Sequence, residues 1–447
     1  MSFISTLFSF GLLFLSVNCQ LAGTQTPESH PKLAWKKCAK GGCATQPGEV
    51  VLEADYRWLH NKEGYNDCQP QGKWNATLCP DPITCAKNCA IEGVGKYDDY
   101  GIETKGDALT LKMNTKNGGY GQRIYFMGDD KTYQIFKLPN QEFTFDVEMG
   151  KLPCGTNGAL YFSEMDFDGG ISKYSTNQAG AKYGTGYCDA QCPKSLKFIH
   201  GEATTEGKYG ACCNEMDIWE ANKIATAYTP HPCTQPGVYR CSGKDCGDGA
   251  DKSLGVCDKP GCDLNAYRMG NQKFYGPGVG MTLNTEKKMT VVTQFLTKDH
   301  STTGPLVEIR RLYVQDGQVI EHSQTSLPGL KAYDSISDQF CVDRAKVFGE
   351  KDDTGSHGGL KVMGESGARG MVLVFALWDD SGESAMQWLD GARWPKDAPV
   401  NALGAARGSC DGKESAPATI HKLYPDAGVT FSNIRFGDIG STFGHRS

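Results

Sequence analysis

Apolar and polar residues alternate with a period of two at several places along the chain, the signature of strands that bury one face. Phe143, Phe145, Val147 and Met149 share one side of such a run. Residues 306–320 read as two strands joined at Asp316-Gly317, a pair suited to a tight hairpin turn. Further strand-like runs cover 289–297, 370–378 and 429–436, with Gly-, Asp- and Pro-rich connections between them. The clearest helical signal is 337–348, with Ser337 as N-cap and Gly349 as stop. Many strands, few helices and long cysteine-bearing loops predict an all-β fold. The expected architecture is a β-jelly-roll sandwich of two large antiparallel sheets, whose face can carry an extended groove.

Composition sharpens this picture. Of 447 residues 55 are glycine, about 12 % against a usual 7 %, as expected for a turn-rich fold. The 46 basic and 52 acidic residues give a net charge of -6, without a Lys/Arg run of the kind that neutralises phosphates, so nucleic acid is excluded as a partner. Residues 3–17 are apolar apart from Ser, Thr and Gly, too few to span a bilayer, and lead into Val17-Asn18-Cys19. Residues 1–19 are therefore read as a signal peptide, with a buried N-terminal segment as the alternative because Lys and Arg are missing from its start. No later segment reads as transmembrane. The remainder, 20–447, shows no linker, repeat or composition shift and reads as one catalytic domain. It keeps 18 of the 19 cysteines, an even number suited to an oxidising, extracellular setting. The spacing of Cys188, Cys192, Cys212 and Cys213 fits no zinc finger or ribbon, so no metal is expected. Asn75-Ala76-Thr77 is a sequon for glycosylation.

The most informative segment is 212–222, Cys-Cys-Asn-Glu-Met-Asp-Ile-Trp-Glu-Ala-Asn, with three carboxylates within six residues. On a regular strand Glu215 and Asp217 share a face while Met216 and Ile218 enter the core, but Glu220 faces away. A one-residue bulge after Asp217 returns Glu220 to the same side. Three acids on one face cannot all ionise freely, so at least one holds a proton near neutrality. That split is what retaining glycoside hydrolysis needs: one carboxylate attacks the anomeric carbon while a protonated partner donates to the leaving oxygen. The competing reading is a solvated acidic strand edge. Trp58, Trp378 and Trp388, in segments that also carry polar groups, add candidate platforms for the apolar faces of sugar rings.

With these residues the sequence resembles the glycoside hydrolase family seven cellulases. The resemblance is carried by 214–222, 158–162, 181–188, 229–233, 274–278 and 431–434, in the family's order along nearly the whole mature chain. It implies a concanavalin-like jelly roll and a retaining hydrolase that needs no cofactor, acting as a monomer on a cellulose chain and releasing cellobiose. By the same resemblance Glu215 is the nucleophile, Asp217 the assisting carboxylate and Glu220 the acid/base, with His231 beside the leaving group. Trp58 is matched to a platform at the tunnel entrance, and Trp378 and Trp388 to platforms flanking the cleavage point. Arg123, Asn157, Tyr161, Asp189, Gln191, Lys197, Arg268 and Arg407 match polar substrate contacts. The family's pattern also pairs all eighteen cysteines: 38 with 43, 68 with 89, 79 with 85, 154 with 410, 188 with 213, 192 with 212, 233 with 257, 241 with 246, and 262 with 341.

Loop lengths bear on whether such an enzyme works from chain ends in a tunnel or within chains in an open cleft. The segment 242–256 and the stretch 395–407 resemble the covering loops of cellobiohydrolases. Against this, 201–211 is short, 247–256 is trimmed, and 381–385 lacks opposing tyrosines. In the product site Pro260 stands where the family has an acid, and Lys252 where it has an arginine, giving a point charge in place of a planar fork. The expectation is a cellobiohydrolase with a partly opened tunnel; an endoglucanase and a non-catalytic cellulose-binding lectin are the alternatives.

Overall fold

The computed structural model describes residues 20–249, 251–382, 386–399 and 401–443; the expected signal peptide, 1–19, lies outside them. The alternating runs become strands with the predicted faces inward. Gln141–Glu148 buries Phe143, Phe145 and Val147 completely. Leu306–Gln315 and Gln318–Glu321 pair through Val314 and Val319, and Asp316 and Gly317 both take positive φ at the turn. Asp338–Phe348 is helical, with Ser337 Oγ accepting from the Phe340 amide and Gly349 in the left-handed region that ends it.

Two sheets dominate. One runs in the order Gln318–Glu321, Leu306–Gln315, Met289–Thr297, Gln141–Glu148, Gly428–Asp438, Trp35–Ala39, Gly42–Gln46. The other runs Leu264–Asn265, Thr226–His231, Glu215–Ala221, Thr156–Ser163, Met371–Asp379, Gln122–Met127, Glu49–Leu52. The expected antiparallel pattern holds for most pairs; Trp35–Ala39 is the exception within the large sheets, lying parallel to Gly428–Asp438. Between the sheets lies a core that includes Phe143, Phe145, Leu160, Phe162, Leu373, Phe375 and Phe431.

The second sheet is covered on both faces. Leu373, Phe375 and Leu377 point into the core between the sheets, while Val372, Val374 and Ala376 join a second apolar cluster with Tyr125, Ala159 and Tyr161 under the loops. The same parity carries Trp378 to that outer side. Those loops are tied by disulfides, and all nine pairings implied by the resemblance are present.

Candidate active site

The strand Glu215–Ala221 is buried along its whole length and irregular in one place. On one side Tyr161 pairs with Asp217 and Leu160 with Trp219, which leaves Ile218 unopposed. On the other side Thr229 pairs with Asp217 and Ala227 with Glu220, three residues spanning two. This is the bulge expected after Asp217. Ile218 and Trp219 both enter the core, and Glu215, Asp217 and Glu220 all line one cavity of about 1460 Å³ over the sheet.

Each acid is held by a named group. Glu215 accepts from the Ala190 amide at 2.9 Å and shares a hydrogen bond with Asp217. Asp217 lies 2.9 Å from His231 Nε2. The other ring nitrogen of His231 donates to the Asp258 carbonyl at 2.8 Å, so Nδ1 carries a hydrogen and Nε2 faces the acids. Asn157 Nδ2 donates to Glu220 at 2.9 Å, and its Oδ1 accepts from the Ala221 amide. Burial raises all three carboxyls. Glu220 is pushed up to about 8, by burial first and then by Asp217, against the opposing pull of His231 and Asn157. Glu215 and Asp217 are raised well above the carboxylate range by burial, with repulsion from Asp189 added to each. The site can therefore store protons at neutral pH while keeping the Ala190 N–H aimed at negative charge.

The remaining wall is polar and pre-ordered. Tyr161 donates to the Tyr187 hydroxyl at 2.8 Å, which donates to Asp189 at 2.7 Å. Arg123 forms a fork on Glu53 and lies 3.6 Å over the Tyr187 ring. Trp378 and Trp388 lie with ring centroids 6.2 Å apart.

The sequence model of glycosyl hydrolase family 7 matches residues 22–443. The chain belongs to that family. Its structure is similar to a family 7 cellobiohydrolase from Daphnia pulex, at 44 % identity and a TM-score of 0.92, over 95 % of this chain and 100 % of that one. It is also similar to a cellobiohydrolase from Melanocarpus albomyces complexed with cellotetraose, at 41 % identity and 0.88, over 95 % and 99 %. A Humicola insolens endocellulase matches at 40 % identity and 0.83, over 94 % and 100 %.

In this family 7 chain the cavity also holds a cationic end. Asp263 receives Arg268 and Arg344, with Arg407 at 3.9 Å. Burial alone would raise Asp263, but the three guanidinium charges win and hold it well below the usual carboxylate range. Arg407 is pushed down to about 10 by burial and by Arg268. Lys252 and Pro260 line the same cavity. Gln191 lines it too and donates to the Lys259 carbonyl at 2.8 Å.

Three of the expected substrate contacts are not in the cavity wall. Asn157 is fully buried, with its amide nitrogen donating to Glu220 and its oxygen accepting from the Ala221 amide, so in this structure it holds one of the acids. Lys197 turns its ammonium to the Asp55 and Arg57 carbonyls at 2.8 and 2.6 Å, bracing the segment before Trp58. Trp58 is 39 % exposed and packs on the His60 ring, beyond Tyr56, which does line the cavity. Conversely, Tyr187, Asp263, Arg344 and Trp394 line it and were not singled out. Tyr187 is the next-to-last residue of the 181–188 motif and Asp263 follows a paired cysteine, but neither position by itself signals chemistry.

No metal-sized donor set stands in the cavity among the described residues. Elsewhere His30, Glu49 and Asp130 come together, but Lys32 and Lys182 already neutralise the carboxylates, and the cysteine groupings are made of disulfide sulfurs. The trimmed segment 247–256 is pinned by Lys351, which reaches Asp251 at 2.8 Å, and by His357 Nε2 on the Gly255 carbonyl at 3.0 Å. Of 381–385, residues 383–385 lie outside the described residues, as does Val400 in the covering stretch 395–407.

Proposed function

We propose that the protein is a retaining cellulase of the cellobiohydrolase type, with Glu215 as nucleophile, Asp217 as its hydrogen-bonded assistant and Glu220 as acid/base. The observation that carries the reading is the bulged strand, which brings three buried acids to the floor of one long cavity. Glu220, raised to about 8, holds the proton a leaving glycosidic oxygen needs. Glu215 attacks, its developing charge balance tuned by Ala190 N–H and by the proton it shares with Asp217. In the second step Glu220, now ionised, takes a proton from the water that releases the sugar.

The position of the acids in the sheet favours action from a chain end. Four strands separate them from the edge near Trp58, and two from the edge at Leu264–Asn265. At ~4.8 Å per strand that is about 19 Å on one side and about 10 Å, the length of a disaccharide, on the other. The short side ends in Arg268, Arg407 and Lys252, whose donors suit the hydroxyls of a departing cellobiose. Secretion through residues 1–19, a single catalytic domain from residue 20 onward and a monomeric state belong to the same reading; among the described residues no helix is long and apolar enough to cross a membrane.

The test has two parts. Glu215→Gln should bind cellotetraose and fail to turn over cellulose; retained turnover removes the nucleophile assignment. With the unmodified enzyme, soluble reducing ends dominated by cellobiose should far exceed insoluble ones. The reverse ratio indicates endo action, the reading favoured by the short 201–211 segment.

A further inference from the structure

The bulge that brings Glu220 to the cavity has an anchor on the opposite side of the core. Arg311 belongs to Leu306–Gln315, in the other sheet, and is 1 % exposed. Its Nη2 donates to the carbonyl of Ile218, the unopposed residue of the bulge. The guanidinium lies 4.4 Å over the ring of Tyr228, which stands between the two residues paired with Asp217 and Glu220. Trp219 and Tyr313 flank it at 5.8 Å, and the Tyr228 hydroxyl donates to Ile309 on the same strand as Arg311. His322 packs on Tyr228 and Tyr313 and is pushed down to about 4 by burial, so it brings no charge at neutral pH.

Among the described residues Arg311 has no carboxylate within ion-pair distance, and its Nε and Nη1 have no hydrogen-bond partner. A buried cation so poorly compensated is costly where a methionine would fill the space. Its best-satisfied contact is the one carbonyl that a regular ladder would not leave over. We infer that Arg311 is a positioning residue for catalysis: by holding the Ile218 carbonyl it fixes the bulge, and the bulge fixes the side on which Glu220 emerges.

The inference rests on Glu220 being the proton donor. Arg311→Met and Arg311→Gln keep bulk but cannot reach the carbonyl, whereas Arg311→Lys keeps a donor on nearly the same reach. In folded protein, Met and Gln should lower kcat by about 10- to 100-fold, since small misplacements of a reacting group cost that much. Affinity for cellotetraose should stay unchanged, because the platforms and arginines lie elsewhere. The alkaline limb of the rate profile should fall toward the ordinary carboxylate range as Glu220 leaves the dry floor, and Lys should restore part of both effects. If Met fails to fold, the Gln variant decides. A wild-type kcat with an unmoved alkaline limb in a folded Met or Gln variant overturns the inference, as does an equal loss of cellotetraose binding and kcat. Should Glu220→Gln itself leave turnover intact, it is the functional reading that fails instead.

Discussion

Replacing Glu220 by Gln should make the folded protein less sensitive to rising pH, by an amount the structure sets. Gln is isosteric, and its side-chain oxygen can still accept from Asn157 Nδ2. In the native protein Glu220 titrates at about 8, against 4.5 for the unperturbed group. The folded state therefore holds a proton that the unfolded chain releases, so its stabilising effect is complete below pH 4.5 and is lost as pH rises through 8. Between pH 5 and pH 8 this single group should remove about 3 to 4 kcal/mol of stability, because holding one proton against release costs about 1.4 kcal/mol for each pH unit climbed. Denaturant unfolding with disulfides intact, at both pH values and for both proteins, measures the difference directly. The variant should lose that much less on going from pH 5 to pH 8. Parallel losses in the two proteins would refute the reasoning, because they would mean Glu220 titrates alike in the folded and unfolded chains.

Other perturbations separate the parts of the site. His231→Asn removes the ring that faces Asp217 at 2.9 Å, and should lower kcat by about 100-fold with little change in KM, measured on a soluble cello-oligosaccharide. Trp378→Ala removes an indole from the cavity wall and should weaken cellotetraose binding by about 3- to 10-fold in calorimetry, without moving the alkaline limb expected from Glu220. Replacing both Cys154 and Cys410 by Ala opens a link across 256 residues of sequence. It should cost about 2 to 5 kcal/mol in reversible denaturant unfolding, with kcat at low temperature retained.

The parts legible in the sequence were those where one side chain has one neighbour class. Phe143, Phe145 and Val147 alternate with polar residues because the outer face of Gln141–Glu148 is not part of the core between the sheets, and period two gives that strand away. Thr156–Ser163 is buried at every position, so alternation vanishes, and only its motif marked it. The helix Gly359–Arg369 also escaped notice, since four of its eleven residues are glycine or serine and its packing, not its propensity, holds it. For the site, the bulge was legible because chemistry demanded it: Glu215, Asp217 and Glu220 can share a face only if one residue is extra. Asn157 is matched by resemblance to a substrate contact, and the structure turns its amide to Glu220 and Ala221. A motif fixes position along the chain but not which way an amide is used.

That difference has a physical root. Sequence patterns report averages over a face, whereas the catalytic arrangement depends on departures from regularity whose compensation lies far away in the chain. Glu220 reaches the cavity because Ile218 is extra. The Ile218 carbonyl is answered by Arg311, 93 residues on and in the other sheet. Glu220 is then kept in place by Asn157, 63 residues back. Each of these groups is buried and polar, and each would be replaceable by a hydrocarbon if stability were the only requirement. Their joint cost is carried by a large two-sheet core and nine disulfides. A scaffold with less core could hold the three acids on a regular strand, but then Glu220 would face the wrong way.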